Sequence, residues 1–495
     1  MTIVDVAAVN LPALSRRLRE VLALDPAAPV IEVDRHWSTW GELAAAADAV
    51  AGEVAPGERV AVLLRNRPAH VGLLVGLLTA GACVVTVNPG RGAERVRADL
   101  AGLDVGALAG DPTDLAEFAE GFEGMRLAST EIGVVETVGR RRSAAAATAS
   151  GVAVEMLTSG TTGPPKRVPL TYDTLSRVLA GAKHYEGNRD DAPRLRSGVA
   201  IVNAPLVHLG GLFRVVQCIN DGRSFCLLER FELAAWADAV RRHRPATVSL
   251  VPAALRTVLD ADLDPEVFAS VRSVVSGTAP LSADDADTFA AKYGVPVLIS
   301  YAATEFGGGV AGWNLADHRE YWAAKRGSVG RAHAGCALRV VDPDSGEPLP
   351  ADRDGVLEVK ARQLGDGTGW TRTTDLARLD ADGFLWILGR ADTAIIRGGF
   401  KVLPDEVRAA LERDPRVRSA AVVGRPDARL GAVPVAAVEL RGTSSATAAE
   451  LLDALSETLA RYEIPTELRI VETLPRTPSG KVDLGGVAEL MAEGR

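Results

Sequence analysis

Short apolar segments alternate with helical segments along most of this chain, and the alternation limits the folds that the chain can adopt. Residues 59–64 form an apolar run typical of a buried strand, residues 68–78 form a helical stretch that begins at Pro68, and residues 83–87 form a second apolar run. Gly81 interrupts the helical stretch, and the turn residues Asn88-Pro89-Gly90 follow the second run. Strand, helix and strand in this order predict a βαβ unit and therefore parallel strands.

The same alternation continues well beyond this first unit. Further apolar runs lie at residues 199–202, 247–251, 271–276 and 295–300, with helical segments at residues 233–242 and 283–292. Repeated β–α alternation predicts an α/β fold, built from parallel-type sheets with helices. At ~150 residues per domain, a chain of 495 residues is expected to form about three lobes or subdomains.

The pattern changes in the last third of the chain, where the apolar runs become short and closely spaced. Two Asp-Gly pairs, Asp354-Gly355 and Asp382-Gly383, are interpreted as turns between them. This spacing predicts a small antiparallel β element formed by residues 338–341, 356–359 and 384–388.

Beyond Gly389-Arg390 helical and strand patterns mix again over about 100 residues, which is long enough for a separate domain. We predict a large N-terminal domain at residues 1–391 and a small, mobile α+β C-terminal domain at residues 392–495. The Ala-rich residues 140–150 are interpreted as a linker.

Charge and composition exclude several classes of partner. The chain carries a net charge of −9, so a general affinity for nucleic acid or anionic membrane is not expected. The longest apolar run, residues 71–87, contains glycines and Thr79 and fits helix, turn and strand better than an integral membrane segment. The N-terminus has an early acid and no basic region, and the four cysteines form no CxxC pair, so we expect a reduced, cytoplasmic protein.

The segment Thr158-Ser159-Gly160-Thr161-Thr162-Gly163-Pro164-Pro165-Lys166 follows the apolar run at residues 152–157. Its glycines allow the backbone to approach an anion, its hydroxyls can donate to phosphate oxygens, and its lysine supplies positive charge. It is not a Walker loop, since the chain has one Gly-Lys pair, Gly480-Lys481, and Val482 follows it. Lysine occurs only seven times in the chain, so a lysine in such a loop is informative. The alternative is a flexible surface loop.

Four other segments carry candidate chemistry. Tyr301-Ala302-Ala303-Thr304-Glu305 follows an apolar run, where α/β proteins place ligands, and offers an aromatic ring, a hydroxyl and a hard oxygen ligand for Mg²⁺. Asp375 offers a carboxylate for two ribose hydroxyls, His208 follows a strand, and Lys481 lies in a turn near the C-terminus. Each of these has a structural alternative when it is considered alone: a capped helix, a solvated turn, a structural histidine or a surface loop.

Taken together and in this order, the segments resemble those of the adenylate-forming superfamily, of the acyl-CoA synthetase or fatty-acid–CoA ligase type. The resemblance extends from about residue 20 to the end of the chain. It is carried by the phosphate loop and by Gly277-Thr278-Ala279-Pro280-Leu281, Gly327-Ser328-Val329-Gly330, Gly389-Arg390-Ala391-Asp392, Arg397-Gly398-Gly399-Phe400-Lys401 and Pro478-Ser479-Gly480-Lys481. Two positions depart from the family pattern: Ala302 and Thr374 stand where the family usually has glycine.

The resemblance implies ATP, Mg²⁺ and coenzyme A as cofactors and a role for each matching residue. Thr158 to Gly163 and Lys166 would hold the β and γ phosphates, Thr304 the α-phosphate and Glu305 the Mg²⁺. Tyr301 and Ala302 with Gly277, Thr278 and Ala279 would enclose adenine, and Asp375 would bind the ribose with Arg390 nearby. Lys481 would bridge the carboxylate and the α-phosphate, Asp392 would be the hinge, and Gly398 and Gly399 would line the CoA tunnel. His208, Gly307 and Gly308 would border the acyl pocket.

The function that this resemblance implies is an AMP-forming acid–thiol ligase for a hydrophobic carboxylic acid. The acid would be activated as acyl-AMP with release of pyrophosphate and then transferred to the CoA thiol. Three alternatives stay open: loading of a carrier-protein pantetheine, a luciferase-type reaction, and a catalytically silent nucleotide-binding homologue. The expected acid is medium-chain, aryl or polycyclic, and the expected state is a monomer or homodimer.

Overall fold

The structure is a computed structural model that describes residues 11–139, 149, 151–158, 166–184, 192–365, 367–442, 444–477 and 480–492. The described residues form two compact units, one of residues up to 245 and the other of residues from 246 onward. Almost all of the predicted linker at residues 140–150 lies outside the described residues. Among the described helices, none is both long and apolar enough to cross a bilayer.

The first unit begins with a helix and continues mainly as alternating strands and helices. Its helices are α1 (Ala13–Leu22), α2 (Trp40–Glu53), α3 (Pro68–Ala80), α4 (Ala93–Ala101), α5 (Pro112–Phe118), α6 (Tyr172–His184), α7 (Leu209–Asn220) and α8 (Leu233–His243). Its strands are β1 (Pro29–Val33), β2 (His36–Thr39), β3 (Arg59–Leu63), β4 (Cys83–Val87), β5 (Ala107–Gly110), β6 (Met125–Ala128), β7 (Glu136–Val138), β8 (Val152–Thr158), β9 (Lys166–Thr171), β10 (Arg196–Val202) and β11 (Arg223–Leu227).

Two sheets organise this unit, and their order confirms the α/β prediction. The larger sheet has the order β7-β6-β5-β3-β4-β8-β9, with parallel pairing from β6 to β8 and an antiparallel strand at each edge. The smaller sheet has the order β10-β11-β1-β2 and is parallel apart from β2. The predicted βαβ unit is confirmed, since β3 and β4 pair in parallel on either side of α3 in sequence.

Helix α3 illustrates how local sequence sets the ends of an element. Pro68 occupies the first turn, where its missing N–H is not needed, and Gly81 ends the helix with φ 76°. Between them almost every residue of α3 is buried, so the helix is apolar on all sides. That burial accounts for the long apolar run at residues 71–87 without any membrane span.

The second unit contains three further sheets. Its helices are α9 (Pro252–Asp260), α10 (Ala283–Tyr293), α11 (Leu315–Tyr321), α12 (Pro404–Leu411), α13 (Ala448–Leu455) and α14 (Leu484–Ala492). Its strands are β12 (Thr247–Ser249), β13 (Ser273–Ser276), β14 (Val297–Ala303), β15 (Gly308–Gly312), β16 (Arg331–Ala332), β17 (Cys336–Val341), β18 (Asp354–Ala361), β19 (Thr371–Leu379), β20 (Leu385–Arg390), β21 (Ile395–Arg397), β22 (Phe400–Val402), β23 (Val417–Asp427), β24 (Gly431–Leu440) and β25 (Glu467–Val471).

Each of these sheets has its own pairing pattern. The sheet β12-β13-β14-β15-β16 is parallel through β14 and antiparallel beyond it. The sheet β17-β18-β19-β20 is antiparallel throughout, which confirms the predicted small β element. The last sheet has the order β22-β21-β24-β23, and β25 pairs in parallel with β24.

One predicted turn is wrong. Asp354-Gly355 was interpreted as a turn, but both residues belong to β18. A Cβ at Gly355 would lie 2.3 Å from the carbonyl oxygen of Val341, so glycine is needed there for close strand approach. Asp382-Gly383 does form a turn, and Gly383 has φ 82°.

The residues that follow Arg390 have a hydrophobic core of their own. It includes Ile395, Val402, Val407, Val438 and Leu451, all at most 4 % exposed. The division between the two compact units falls near residue 245, inside the span predicted as the N-terminal domain. The predicted boundary between residues 391 and 392 stays a prediction.

Candidate active site

The predicted phosphate loop is flanked by two antiparallel strands. Strand β8 ends at Thr158 and β9 begins at Lys166, and these two residues are paired across the ladder. Lys166 is exposed. Ser159, Gly160, Thr161, Thr162 and Gly163 lie outside the described residues. The structure therefore defines where the loop leaves and re-enters the sheet.

His208, also in the first unit, stands at the N-terminus of α7. Its carbonyl accepts a hydrogen bond from the Leu212 N–H at 3.1 Å, and its own N–H donates to the Pro205 carbonyl at 3.0 Å. A Cβ at Gly211 would lie 2.2 Å from that same Pro205 oxygen, so glycine permits this tight approach. These backbone contacts fix the position of His208, whose side chain is half-buried.

In the second unit, two predicted segments follow neighbouring parallel strands. Gly277 comes directly after β13, and Tyr301 and Ala302 lie near the end of β14, where they pair with β15. Thr304 and Glu305 form a short 3₁₀ helix that continues from β14 and ends at Gly307, with φ 69°. Because carboxyl ends of parallel strands share one edge of a sheet, both segments emerge at the same edge.

Tyr301 and Asp375 are joined directly. The Tyr301 hydroxyl donates a hydrogen bond to the Asp375 carboxylate. Burial, and then the Asp375 charge, raise the pKa of Tyr301 well above its usual value. Burial also raises the pKa of Asp375, while the Tyr301 hydrogen bond and the Arg390 charge oppose that rise. The carboxylate is thus held in place by a neutral donor and a cation.

Arg390 connects Asp375 with the predicted hinge. Asp375 and Arg390 pair across β19 and β20. The Arg390 guanidinium donates to both carboxylate oxygens of Asp392, at 2.8 and 2.7 Å. This hydrogen bonding raises the pKa of Arg390, with smaller contributions from Asp375 and Glu305. A bidentate pair defines the orientation of both groups.

Lys481 is presented by a tight turn. Its carbonyl accepts from the Thr477 N–H at 2.7 Å, and the Gly480 N–H donates to the Thr477 carbonyl at 2.8 Å. Gly480 has φ 79°, a conformation that favours glycine. The Arg476 guanidinium donates a hydrogen bond to the buried carboxylate of Glu439 at 3.0 Å, which anchors the turn.

Lys481 is exposed as a residue, but protein atoms crowd its ammonium group. Desolvation by the neighbouring protein atoms lowers its pKa, and the charge of Glu305 opposes the decrease. Lys481 and Glu305 therefore lie within electrostatic range of one another. Together with Tyr301, Asp375 and Arg390 they form one cluster in the second unit.

The Glu305 side chain fits a magnesium ligand. Its carboxylate is exposed, and no hydrogen bond or ion pair to it occurs among the residues that the structure describes. Mg²⁺ prefers hard carboxylate oxygens and keeps several waters, so one accessible carboxylate next to bound phosphates is a suitable donor set.

The glycines after Glu305 lie in a turn and in the strand that follows it. A Cβ at Gly309 would lie 3.1 Å from Cε1 of His333, so the space beside this glycine is occupied. Gly307 provides the left-handed turn into β15 and Gly308 begins that strand. Their assignment to an acyl pocket stays a prediction.

The two residues that depart from the family pattern, Ala302 and Thr374, both lie in strands. Thr374 lies inside β19 and is not among the described non-glycine residues with positive φ. Ala302 lies in β14 and is exposed. In the predicted adenine segment, Thr278 has a strained backbone, with φ 71°.

Gly398 and Gly399 form the turn between β21 and β22. Both have positive φ, 58° and 91°, as a two-residue hairpin turn requires. The Gly398 N–H donates to the Leu430 carbonyl at 2.8 Å. Phe400 beside the turn is 57 % exposed and stacks on Tyr462 with ring centroids 4.7 Å apart.

Sequence reasoning missed a buried ion-pair network in the second unit. Arg256 on α9 contacts Asp285 on α10 at 2.7 Å and Glu412, just after α12, at 3.4 Å. Arg441 also contacts Asp285, at 3.1 Å. No spacing in the sequence links these residues. The available indication was Arg256, a charged residue on an otherwise apolar face of α9.

Comparisons with known proteins agree with the sequence resemblance. A family described as AMP-binding enzyme matches residues 18–367, and the AMP-binding enzyme C-terminal domain matches residues 406–481. 4-Coumarate–CoA ligase 1 of Oryza sativa subsp. japonica is 31 % identical over 342 residues, which are 66 % of this chain and 60 % of that relative. 4-Coumarate–CoA ligase 3 of the same plant is 29 % identical over 87 % of this chain and 82 % of its own length. The chain thus spans less than two thirds of the first of these relatives.

Solved structures resemble the chain over nearly its whole length. ATP-bound MatB from Rhodopseudomonas palustris has a TM-score of 0.81 at 26 % identity, covering 97 % of this chain and 99 % of its own. The o-succinylbenzoate CoA synthetase MenE from Bacillus subtilis, in complex with its acyl-adenylate intermediate OSB-AMP, has a TM-score of 0.78 at 25 % identity. That match covers 98 % of each chain.

Proposed function

The chain belongs to the AMP-binding enzyme family of adenylate-forming enzymes, and from that premise we propose that it is an AMP-forming acid–thiol ligase. It activates a hydrophobic carboxylic acid with ATP as acyl-AMP, releases pyrophosphate, and transfers the acyl group to the CoA thiol. The observation that carries this proposal is the cluster of Lys481, Glu305 and the Tyr301–Asp375 pair in the second unit.

Each half of this cluster supplies one requirement of adenylation. A carboxylate and the α-phosphate are both anionic, so their approach needs positive charge and alignment. Lys481 bridges the two anions, and Thr304 donates to the α-phosphate. Lys166 and the hydroxyls of the phosphate loop hold the leaving pyrophosphate. Magnesium at Glu305 would neutralise phosphate charge when bound.

The nucleoside is held by the other part of the cluster. Asp375 accepts from two ribose hydroxyls, with Arg390 orienting its carboxylate. Tyr301, together with the segment of Gly277, Thr278 and Ala279, covers the adenine ring. Ala302 adds one methyl group beside this surface, at a point where the pairing of β14 with β15 shifts register.

The second half-reaction needs a different arrangement around the same acyl group. Rotation at Asp392 removes Lys481 from the acyl group. The same rotation brings the hairpin turn of Gly398 and Gly399 beside the pantetheine of CoA. The Arg390–Asp392 pair restrains that hinge until rotation. This sequence of events lets one site serve adenylation and thioester formation.

The acid is proposed to be aromatic or otherwise apolar and to lie near His208, Gly307 and Gly308. The names of the similar proteins, 4-coumarate–CoA ligase and o-succinylbenzoate CoA synthetase, make aryl acids the first choice.

The test is pyrophosphate release with ATP and Mg²⁺ across aryl, medium-chain and polycyclic acids, with and without CoA. We expect acid-dependent release with one class and acyl-CoA formation when CoA is present. Release without acyl-CoA would point to a carrier-protein acceptor. No acid-dependent release from any class would contradict the proposal and favour a catalytically silent homologue.

A further inference from the structure

Three metal-ligand side chains that the proposed ligase reaction does not use converge in the first unit. Glu32 lies in β1 and Cys226 in β11, and these residues are direct partners in the parallel ladder. Paired residues of neighbouring strands project from the same face of a sheet, about 5 Å apart. His243, the last residue of α8, contacts Glu32 from the neighbouring helix.

The donor atoms of this trio lie close enough to share one ion. One ligand atom each from Glu32, Cys226 and His243 lies within 4.8 Å of the other two. Ligands at usual zinc distances of about 2.0–2.3 Å are about 3.5 Å apart in a tetrahedral site, so small side-chain adjustments suffice. Glu32 and Cys226 are 0 % and 2 % exposed, so the donors are shielded from bulk water.

A ring nitrogen of His243 and a carboxylate oxygen of Glu32 are in direct contact. Nε2 of His243 faces Oε2 of Glu32 and lies 3.1 Å from Nη1 of Arg242. Imidazole nitrogen and carboxylate oxygen are both donor atoms that Zn²⁺ takes in proteins. A cation bound by the trio would replace the direct contact between His243 and Glu32.

The surrounding charges permit a cation here. Arg242 binds the other oxygen of Glu32 at 2.6 Å, and it also binds Asp238 at 2.8 Å. Asp238 balances the charge of Arg242, and Arg35 lies 2.9 Å from Asp238 at the surface. His243 ends α8, where the helix dipole favours positive charge.

We propose that Glu32, Cys226 and His243 form a binding site for a thiophilic divalent cation of the Zn²⁺ class. Sulfur, nitrogen and oxygen donors are the set that zinc takes in proteins, and three protein ligands leave one position for water. Arg242 positions the carboxylate ligand through its second oxygen, as outer hydrogen bonds do at metal sites. The ion joins β1, β11 and the end of α8.

Cobalt substitution tests the site directly in the full-length protein. After chelator treatment, we expect one equivalent of Co²⁺ to give a sulfur-to-cobalt charge-transfer band and tetrahedral d–d bands. Zn²⁺ should displace Co²⁺ and raise the midpoint of thermal unfolding. The variant Cys226→Ser should lose the charge-transfer band and bind Zn²⁺ about tenfold or more weakly.

Matched controls separate this site from other thiols. Cys218→Ser alters another buried cysteine, located on α7, and should retain the band and the affinity. His243→Gln, at a partly accessible position, should weaken Zn²⁺ binding while the protein stays folded by circular dichroism. The proposal is overturned if no Co²⁺ band forms, or if Cys226→Ser keeps it. Either result would mean that His243 and Glu32 contact each other directly, with no metal ion between them.

Discussion

Arg256 and Glu412 form an ion pair, with Nη2 and Oε2 3.4 Å apart and side chains only 8 % and 6 % exposed. Arg256 lies before the proposed hinge at Asp392 and Glu412 lies after it. Asp285 binds the same Arg256 and also Arg441, so two carboxylates link residues on both sides of the hinge. A rotation at Asp392 would have to separate these pairs.

This network leads to a prediction about the balance of the two half-reactions. Glu412→Gln removes a nearly buried charge, and we expect acyl-AMP formation to slow by about tenfold, equivalent to ~1.4 kcal/mol. Thioester formation from supplied acyl-AMP should change much less, because that step takes place after the pair has separated. Single-turnover assays of each half-reaction measure both rates.

Glu472→Gln is the control for this network, since Glu472 is exposed and should leave both half-reactions unchanged. If Glu412→Gln slowed both half-reactions equally, the network would be a general stabilising feature and not a restraint on one conformation.

The Tyr301–Asp375 hydrogen bond gives a prediction about nucleotide affinity. Asp375→Asn removes the ionised acceptor proposed for the ribose hydroxyls and should weaken ATP binding by roughly tenfold or more. Tyr301→Phe keeps the ring and should change affinity by no more than about threefold. Isothermal titration with ATP and Mg²⁺ measures both constants.

Asp354→Asn serves as the comparison, because Asp354 forms an exposed ion pair with Arg378 in the same part of the chain. Wild-type ATP affinity in Asp375→Asn would exclude the proposed ribose contact.

The positive φ of Thr278 gives a prediction about stability. A β-branched residue at φ 71° carries about 1–3 kcal/mol of strain, and glycine would remove it at an entropic cost of ~0.5–1 kcal/mol. We therefore expect Thr278→Gly to raise the midpoint of thermal unfolding. Thr374→Gly, in an extended strand without positive φ, should lower it. A lower midpoint in Thr278→Gly would show that the threonine side chain stabilises this turn more than the strain destabilises it.

The pKa of Lys481 gives a prediction about pH. Desolvation lowers that pKa below the usual lysine value, and the proposed role requires the charged form. Adenylation, measured as kcat/KM for pyrophosphate release, should therefore be full below the lowered pKa and fall as pH rises through it. In Lys481→Arg the alkaline limb should move to higher pH, since arginine stays charged. Lys292→Arg, at a lysine paired with Asp262, should leave the profile unchanged.

Much of the fold could be predicted because the apolar periodicity is local. Pro68, Gly81 and the apolar runs around them define β3, α3 and β4 without reference to the rest of the chain. The turn predicted at Asp354-Gly355 was wrong because the glycine is needed for a tertiary contact, the close approach to Val341. The sequence alone does not show that Gly355 and Val341 are neighbours.

Sequence motifs predicted which residues form the site, but not the contacts between them. The family pattern identified Tyr301, Asp375, Arg390 and Lys481, but not the hydrogen bond between Tyr301 and Asp375. The Arg256–Glu412 pair was not predictable, because its partners are separated by 156 residues and meet only through packing. The strain at Thr278 was also missed, since a residue type does not reveal its φ.

The central claim is that Lys481 acts in adenylation and not in thioester formation. Lys481→Ala tests it most directly, with pyrophosphate release from ATP and acid measured beside acyl-CoA formation from supplied acyl-AMP. The account predicts a loss of about 100-fold or more in the first rate and a change within about threefold in the second. Equal loss of both rates, or retention of both, would contradict it.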